Sequence, residues 1–392
     1  MHDVIVIGGG SAGSRLAYML ARQGWGVTVL EKEGKVGNRL CCTGIIGQEC
    51  VRNFNIDESV ILRKVKSARL FSPSGKALHI ERDEYQASVL DRQAFDLAMA
   101  QRAQNAGAQY IFNSAVHDLR VTREGIELYC EKREGPLSAR SVVIASGYGG
   151  RLAEKMGLGK VADFVAGAQV EVAAKDQDEV EVYFGQEVAP GFFGWLVPTS
   201  NGNARVGLLS RHDPEKYLKK LLDSLASEGK IVPGDWKPSY GAIPLRPLRR
   251  TYGEKVLAVG DAAGQVKPTT GGGIYYGMLC ADIAANILNI ALHRDDLSAK
   301  SLSRYDREWK GKLGQELMVG YGARKLFERL SDQQIDRLFD VIERDHIDAA
   351  LLEAQDVSFD WHSQAIMKLL RRAMVARIFG GIRLPFRGNN KI

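Results

Sequence analysis

The hydrophobic positions of this chain change period several times, and each change marks an element. Residues 4–7, VIVI, form an unbroken apolar run of the kind buried on both faces of a parallel sheet. They run into glycines. SRLAYMLARQG (14–24) then places apolar residues at helical spacing, and GVTVLEK (26–32) reads as a second strand. Further along, DRQAFDLAMAQRA (91–103) predicts a helix and AVHDLRV (115–121) a strand. VLAV (256–259) predicts another buried strand, followed past a glycine-rich loop by the helix IYYGMLCADIAANIL (274–288). Two stretches follow a different rhythm. SARLFSPSGKALHI (67–80) reads as a hairpin with a Pro-Ser-Gly turn, and residues 165–210 alternate at period two, as a half-buried antiparallel sheet does. From about 300 the pattern turns helical and charged, as in SDQQIDRLFDVIERD (331–345).

The first strand, its glycines and the second strand form a complete unit. Gly8-x-Gly10-x-x-Gly13 lies between strand and helix, and Glu31 ends the next strand. Gly8 permits the tight turn, and Gly10 lets a pyrophosphate approach the backbone at the helix N-terminus. Gly13 allows helix and strand to pack closely, while Glu31 can accept both ribose hydroxyls. A carboxylate there disfavours a 2′-phosphate, so the expected nucleotide is FAD or NAD.

The stretch GDAAGQVKPTTGGGIYYG (260–277) narrows this choice. FAD is longer than NAD and needs support at its ribityl chain and flavin ring. Asp261, at a strand end, can hydrogen-bond a ribityl hydroxyl. Glycines 271–273 open a helix whose amides can face the pyrophosphate or the flavin edge, stabilising negative charge there.

The pattern therefore predicts an α/β chain. A Rossmann-type FAD-binding domain with a parallel sheet is expected from 1–60, 85–160 and 250–300. An inserted antiparallel-sheet substrate domain is expected from 61–84 and 161–249, and a helical C-terminal region from 301–392.

Composition adds limits. At 392 residues the chain has room for two or more domains, and its hydrophobic fraction of 45% is ordinary for a globular protein. The net charge of +6 is local: from Lys368 onward there are seven basic residues and no acid. Apart from that tail the chain is close to neutral, which does not suggest a nucleic-acid-binding body. The tail itself, WHSQAIMKLLRRAMVARIFGGIRLPFR (361–387), sets apolar residues near helical spacing among basic ones and suggests peripheral membrane contact. The alternative is a helix packed on the body with solvated arginines. The five cysteines show no CxxC spacing, which fits a reducing, cytoplasmic setting. The N-terminus opens directly on a strand, so no signal peptide is expected, and no apolar run approaches the roughly 18 residues that span a bilayer.

Taken together, the GxGxxG unit, VLDRQAFD (89–96) and GDAAG with its glycine-rich helix start resemble the flavoprotein hydroxylase-type fold. GQVKPTTGGGI (264–274) and PGFFGWLVP (190–198) are similar to the geranylgeranyl reductase branch of FAD-dependent oxidoreductases, with Phe193 and Val197 departing from that branch's PxxYxWxFP pattern. The resemblance covers roughly residues 1–300. It implies cofactor contacts at Ala12, Gly44, Arg92, Val116, Gly272, Gly273 and Ile274, besides Gly8, Gly10, Gly13, Glu31 and Asp261. Arg92 would reach the cofactor from its helix start, the alternative being an exposed arginine there. Val116 would touch the adenine through its backbone. Ser146 stands where an acid is common in the family.

Few residues are left for chemistry. NRLCCTGII (38–46) carries adjacent thiols, Cys41 and Cys42, where the resembling branch has one cysteine before a glycine-containing turn. Either could match, and both could equally be small buried loop residues. Phe193 and Trp195 share one face of a strand and could wall an apolar pocket, with Gly191 and Gly194 leaving room beside the rings; ordinary core is the other reading. The resemblance implies saturation of carbon–carbon double bonds in a polyprenyl lipid, with electrons from NAD(P)H or ferredoxin. A flavin-dependent monooxygenase and a non-catalytic flavin-binding protein at a membrane are the alternatives.

Overall fold

The computed structural model describes residues 1–38, 41–175, 177–344 and 358–371. The basic tail from 372 onward lies outside the described residues. The chain divides into two compact units. The first comprises Met1–Leu40, Arg92–Phe164 and Ala242–Gln315, and the second comprises Cys41–Asp91, Val165–Gly241 and the chain from Glu316.

In the first unit the central sheet orders its strands Tyr252–Gly253, Val256–Ala258, Leu137–Ile144, His2–Ile7, Val27–Leu30 and Gln109–Ile111. The four strands from Val256–Ala258 to Val27–Leu30, and then Gln109–Ile111, pair in parallel. The apolar runs of the four inner strands are buried on both faces, as such strands require, while the edge strand Gln109–Ile111 is only partly buried. Helix Ser11–Ala21 lies against helices Arg92–Asn105 and Ile274–His293. Ala12 packs there, since Cβ atoms placed on Gly260 and Gly277 would lie 3.2 and 3.5 Å from its methyl group. Strand Val116–Val121 joins through Ile126–Cys130, which pairs antiparallel with Leu137–Ile144.

Helix Ile274–His293 is long and apolar, although its sequence holds no unbroken apolar run of membrane-spanning length. It has 20 residues and enough hydropathy to suit a bilayer, but 67% of its apolar window is buried within the protein, so it serves as a core helix.

The second unit holds a seven-stranded sheet ordered Ser239–Pro244, Phe164–Ala173, Asn203–Ser210, Gly194–Pro198, Val180–Tyr183, Ser67–Phe71 and Ala77–Glu81. The expected hairpin and the alternating stretch thus form one sheet. Within it, Val180–Tyr183 and Ser67–Phe71 pair in parallel. Helix Pro214–Ser227 covers one face, with Leu221 against Gly194.

The expected boundaries shift. Residues 41–60 and 85–91 belong to the second unit, because strands Ile45–Gly47, Ala87–Leu90 and Ile61–Val65 pair with one another in a small antiparallel sheet. Residues 242–249 and 301–315 belong to the first. The C-terminal helices Ala299–Phe327, Asp332–Arg344 and Ser363–Arg371 form no third unit. Helix Asp332–Arg344 sits on the second unit's hairpin: Asp336 accepts hydrogen bonds from the Ser72 and Ser74 hydroxyls at 2.6 and 2.7 Å, above an apolar cluster of Leu78, Leu326, Leu330, Ile335 and Phe339.

Candidate functional site

The first group of site residues lies in the first unit. Gly8 has φ +105°, and a Cβ on it would fall 2.4 Å from the Ala145 carbonyl oxygen; one on Gly13 would fall 2.1 Å from the Gly8 carbonyl oxygen. Both positions therefore admit only glycine. Gly10 differs. It caps helix Ser11–Ala21, and a Cβ there would meet nothing within 4 Å. An open, side-chain-free helix N-terminus is what a pyrophosphate needs. Glu31 is anchored at both oxygens: Oε2 accepts from the Gly9 amide at 2.8 Å and Oε1 from the Glu33 amide at 3.0 Å. Gly9, a variable position of the motif, is a residue that sequence reasoning missed. A Cβ on it would clash with Val36 Cγ1 at 2.6 Å.

At the other end, Gly273 caps helix Ile274–His293, and a Cβ on it would lie 2.7 Å from Asp261 Oδ1. The bare backbone thus lets the carboxyl sit against the helix start. Gly272 likewise leaves room for the Lys267 side chain, 3.0 Å from where its Cβ would be. Burial pushes the Asp261 carboxyl above the usual range, and the charge of Arg92 pulls it back down. The backbone just before Asp261 is held by two residues with no sequence signal. Gln265 Oε1 accepts from the Gly260 amide at 2.8 Å, and its Nε2 donates to Tyr305, whose hydroxyl donates to the Ala258 carbonyl at 3.0 Å.

Arg92 is not the exposed helix-start arginine of the alternative reading: its side chain is 10% exposed and donates to both oxygens of Asp96, at 3.1 and 2.9 Å. Burial raises the Asp96 carboxyl while Arg92 opposes this. Val116 begins its strand with its side chain packed on the core beneath the parallel sheet. The open Gly10 cradle, the anchored Glu31 and the desolvated Asp261 carboxyl fit the pyrophosphate, ribose and ribityl portions of FAD.

The second group lies in the second unit, on the sheet face opposite helix Pro214–Ser227. Residues directly opposed across strands share a face, and here one row runs Gln169, Gly207, Trp195, Val182. The loop carrying Cys41 and Cys42 is fastened to that face. Cys41 Sγ donates to the Ser239 carbonyl at 3.4 Å, and Gly241 leaves space beside it. Gln169 and Arg205 grip the next residues. Gln169 accepts from the Thr43 hydroxyl at 2.9 Å and donates to the Cys42 carbonyl at 3.3 Å, and Arg205 Nη1 donates to the Thr43 carbonyl at 2.7 Å. Gly44, at φ +76°, accepts from the Leu90 amide at 2.9 Å. Both thiols are half-buried and unbonded to each other. Burial raises the Cys41 thiol above its usual range, against the Ser239 hydrogen bond.

Phe193 and Trp195 do share a face, with ring centroids 6.0 Å apart. Phe193 continues to Phe184 at 6.3 Å, and Phe184 to Phe327 at 5.5 Å and Phe339 at 6.0 Å. The room expected beside Gly191 and Gly194 is not there. A Cβ on Gly194 would lie 2.8 Å from Leu221, and one on Gly191, at φ +70°, would lie 3.2 Å from the Glu328 backbone. These glycines admit protein, not ligand. The glycine that serves the indole is Gly207, whose signal was its place inside a strand.

Comparison with known proteins identifies relatives of this chain. A family model described as lycopene cyclase protein matches residues 3–344. A digeranylgeranylglycerophospholipid reductase of Methanocaldococcus jannaschii is 32% identical over 362 residues, covering 87% of this chain and 90% of that protein. Digeranylgeranylglycerophospholipid reductase 2 of Methanothermobacter thermautotrophicus is 32% identical over 361 residues, covering 87% and 92%. The fold is shared with a geranylgeranyl bacteriochlorophyll reductase-like protein of Thermoplasma acidophilum, at a TM-score of 0.84, 23% identity and coverage of 96% and 98%.

Proposed function

Since this chain belongs to the geranylgeranyl reductase family of FAD-dependent oxidoreductases, we propose that it saturates carbon–carbon double bonds in the polyprenyl chains of an isoprenoid lipid or lipid precursor. The observation that carries this reading is the likeness, over nearly the whole chain, to reductases named for digeranylgeranylglycerophospholipid. The chemistry FAD supplies when bound is hydride transfer to one alkene carbon, after recharging by an external donor such as NAD(P)H or ferredoxin.

The residues of this chain have separable parts in that reaction. Gly8, Gly10 and Gly13 shape the pyrophosphate cradle, and Glu31 presents an anchored carboxylate to the ribose. Asp261, with the amides that follow Gly272 and Gly273, holds the ribityl end. Cys41 keeps its proton at neutral pH, because burial disfavours the thiolate; a thiol in that state can deliver a proton to the second alkene carbon and recover it from water. Hydride and proton together add one hydrogen molecule per double bond. Phe193 and Trp195 offer an apolar wall that excludes water from an uncharged chain.

The test is anaerobic turnover. Purified protein, reduced with dithionite, is mixed with a digeranylgeranyl phospholipid, and the lipid is followed by mass spectrometry. The proposal expects stepwise gain of hydrogen as the flavin reoxidises. In a parallel aerobic assay, oxygen consumption coupled to a hydroxylated product would establish the monooxygenase reading instead, and a reduced flavin that leaves the lipid unaltered in both assays would leave only flavin binding.

A further inference from the structure

The thiol loop is held by more polar contacts than its packing requires, and they converge on two buried side chains. Gln169 is 7% exposed and Arg205 is 9% exposed. Burying a guanidinium and an amide is costly unless their hydrogen bonds are satisfied, and apolar side chains would fill the same space at lower cost. Gln169 spends its acceptor on the Thr43 hydroxyl and a donor on the Cys42 carbonyl. A slip of the loop by one residue would break both bonds at once. Arg205 donates to the Thr43 carbonyl and, at 3.0 Å, to the Leu90 carbonyl. It thereby ties the loop to the strand Ala87–Leu90, whose last amide holds Gly44. Ser239, the partner of Cys41, in turn donates from its hydroxyl to the Gln169 carbonyl at 3.1 Å. Every residue from Cys41 to Gly44 is therefore fixed, and the bonds to Cys42 and Thr43 come from Gln169 and Arg205.

We propose that Gln169 and Arg205 are positioning residues that fix the thiol loop on the sheet face, and thereby set where Cys41 and Cys42 stand for the reduction of the alkene. The proposal deepens the reductase reading and rests on it. Neither residue is assigned any contact with the substrate; they act through the loop. Gln169 lies in one cross-strand row with Gly207 and Trp195, and Arg205 stands two residues from Gly207 on the same strand and face, which puts the thiols and the aromatic wall on a common support, so a shift of the loop changes the thiols' position against a bound chain.

The test uses the flavin-loaded full chain. Gln169→Ala removes the clamp from the sheet side. Thr43→Val removes one of the same bonds from the loop side and keeps the proposal testable if the sheet variant folds poorly. Arg205→Lys is the conservative variant. Iodoacetamide labelling of Cys41 and Cys42, read by peptide mass spectrometry, should accelerate about tenfold in Gln169→Ala and Thr43→Val, the factor that accompanies loss of roughly one net hydrogen bond. The flavin spectrum and melting temperature should stay near wild type. Turnover should fall in kcat with little change in KM for the lipid, and Arg205→Lys should lie between. Unchanged labelling in a folded, yellow variant would overturn the anchoring. Faster labelling with unchanged kcat would overturn the catalytic role. If wild-type protein reduces no polyprenyl lipid, the reductase reading and the catalytic half fall together, while the labelling result stands by itself.

Discussion

The indole of Trp195 rests against Gly207, its partner on the neighbouring strand, so closely that a Cβ on the glycine would fall 2.5 Å from Cζ2 and 2.7 Å from Cε2. The indole nitrogen is buried without a hydrogen-bond partner among the described residues. The ring is thus held by shape alone, and that makes its contact measurable.

Gly207→Ala should displace the ring and destabilise the protein by about 1–3 kcal/mol, the usual cost of overpacking. In the Trp195→Ala background the same change should cost less, because the clash with the indole is gone and only that with the Ala168 carbonyl oxygen, 2.8 Å from the same Cβ, remains. Strictly additive melting-temperature changes in this double-mutant cycle would contradict the contact. If the indole walls the substrate, Gly207→Ala should also alter the distribution of partly saturated products.

Glu31→Ala removes the acceptor for two backbone amides as well as the ribose partner. FAD affinity should weaken by about 1–3 kcal/mol, or roughly tenfold to a hundredfold. Titration of the flavin-free protein with FAD, followed by flavin fluorescence, measures this. Glu31→Gln, which keeps one oxygen, should fall between.

Asp261 predicts a pH dependence. Its carboxyl is raised above the ordinary value of 3.8 by burial, with Arg92 opposing. The folded protein therefore binds this proton more tightly than the unfolded chain. Stability attributable to Asp261 falls as pH rises through the folded-state value and recovers as pH drops toward the unfolded one. In flavin-free protein, Asp261→Asn should accordingly gain stability over wild type at neutral pH and lose that advantage near pH 4. Urea unfolding at the two pH values decides the sign, and an advantage that grows on acidification would refute the assignment.

Cys41 predicts a second. With its thiol raised above 9.0 by burial, alkylation at this residue in a Cys42→Ser variant should begin to climb only at a pH above that of a free cysteine in the same buffer. A Cys41 labelling curve that rises below neutral pH would show a thiolate and remove it as a proton source.

Much of the nucleotide end was legible in the chain because its constraints are local. Gly8, Gly10, Gly13 and Glu31 lie within one βαβ unit, and a tight turn, an open helix N-terminus and a strand-end acid each demand a particular residue type at a particular spacing. Asp261 and Gly273 are likewise separated by a single short loop. The helix Ile274–His293 was legible as a helix, but its burial was not, since hydropathy alone does not distinguish a core from a bilayer.

The thiol face followed a different logic. The period-two pattern over 165–210 predicts a half-buried sheet, and it carries no local mark that the polar Gln169 and Arg205 are buried. Docking of the 41–44 loop on that sheet turned them into buried clamps, through contacts spanning 127 and 162 residues of chain that no local pattern encodes. Gly191 and Gly194 were read for space beside a ring, yet Glu328 and Leu221, distant in sequence, occupy it. The amino-acid pattern by itself determined the secondary structure, the parallel nucleotide-binding sheet and the cofactor class, because steric and hydrogen-bonding rules act over a few residues. Only the tertiary structure decided which polar side chains are buried and which glycines touch protein, because those outcomes depend on what packs against each sheet face.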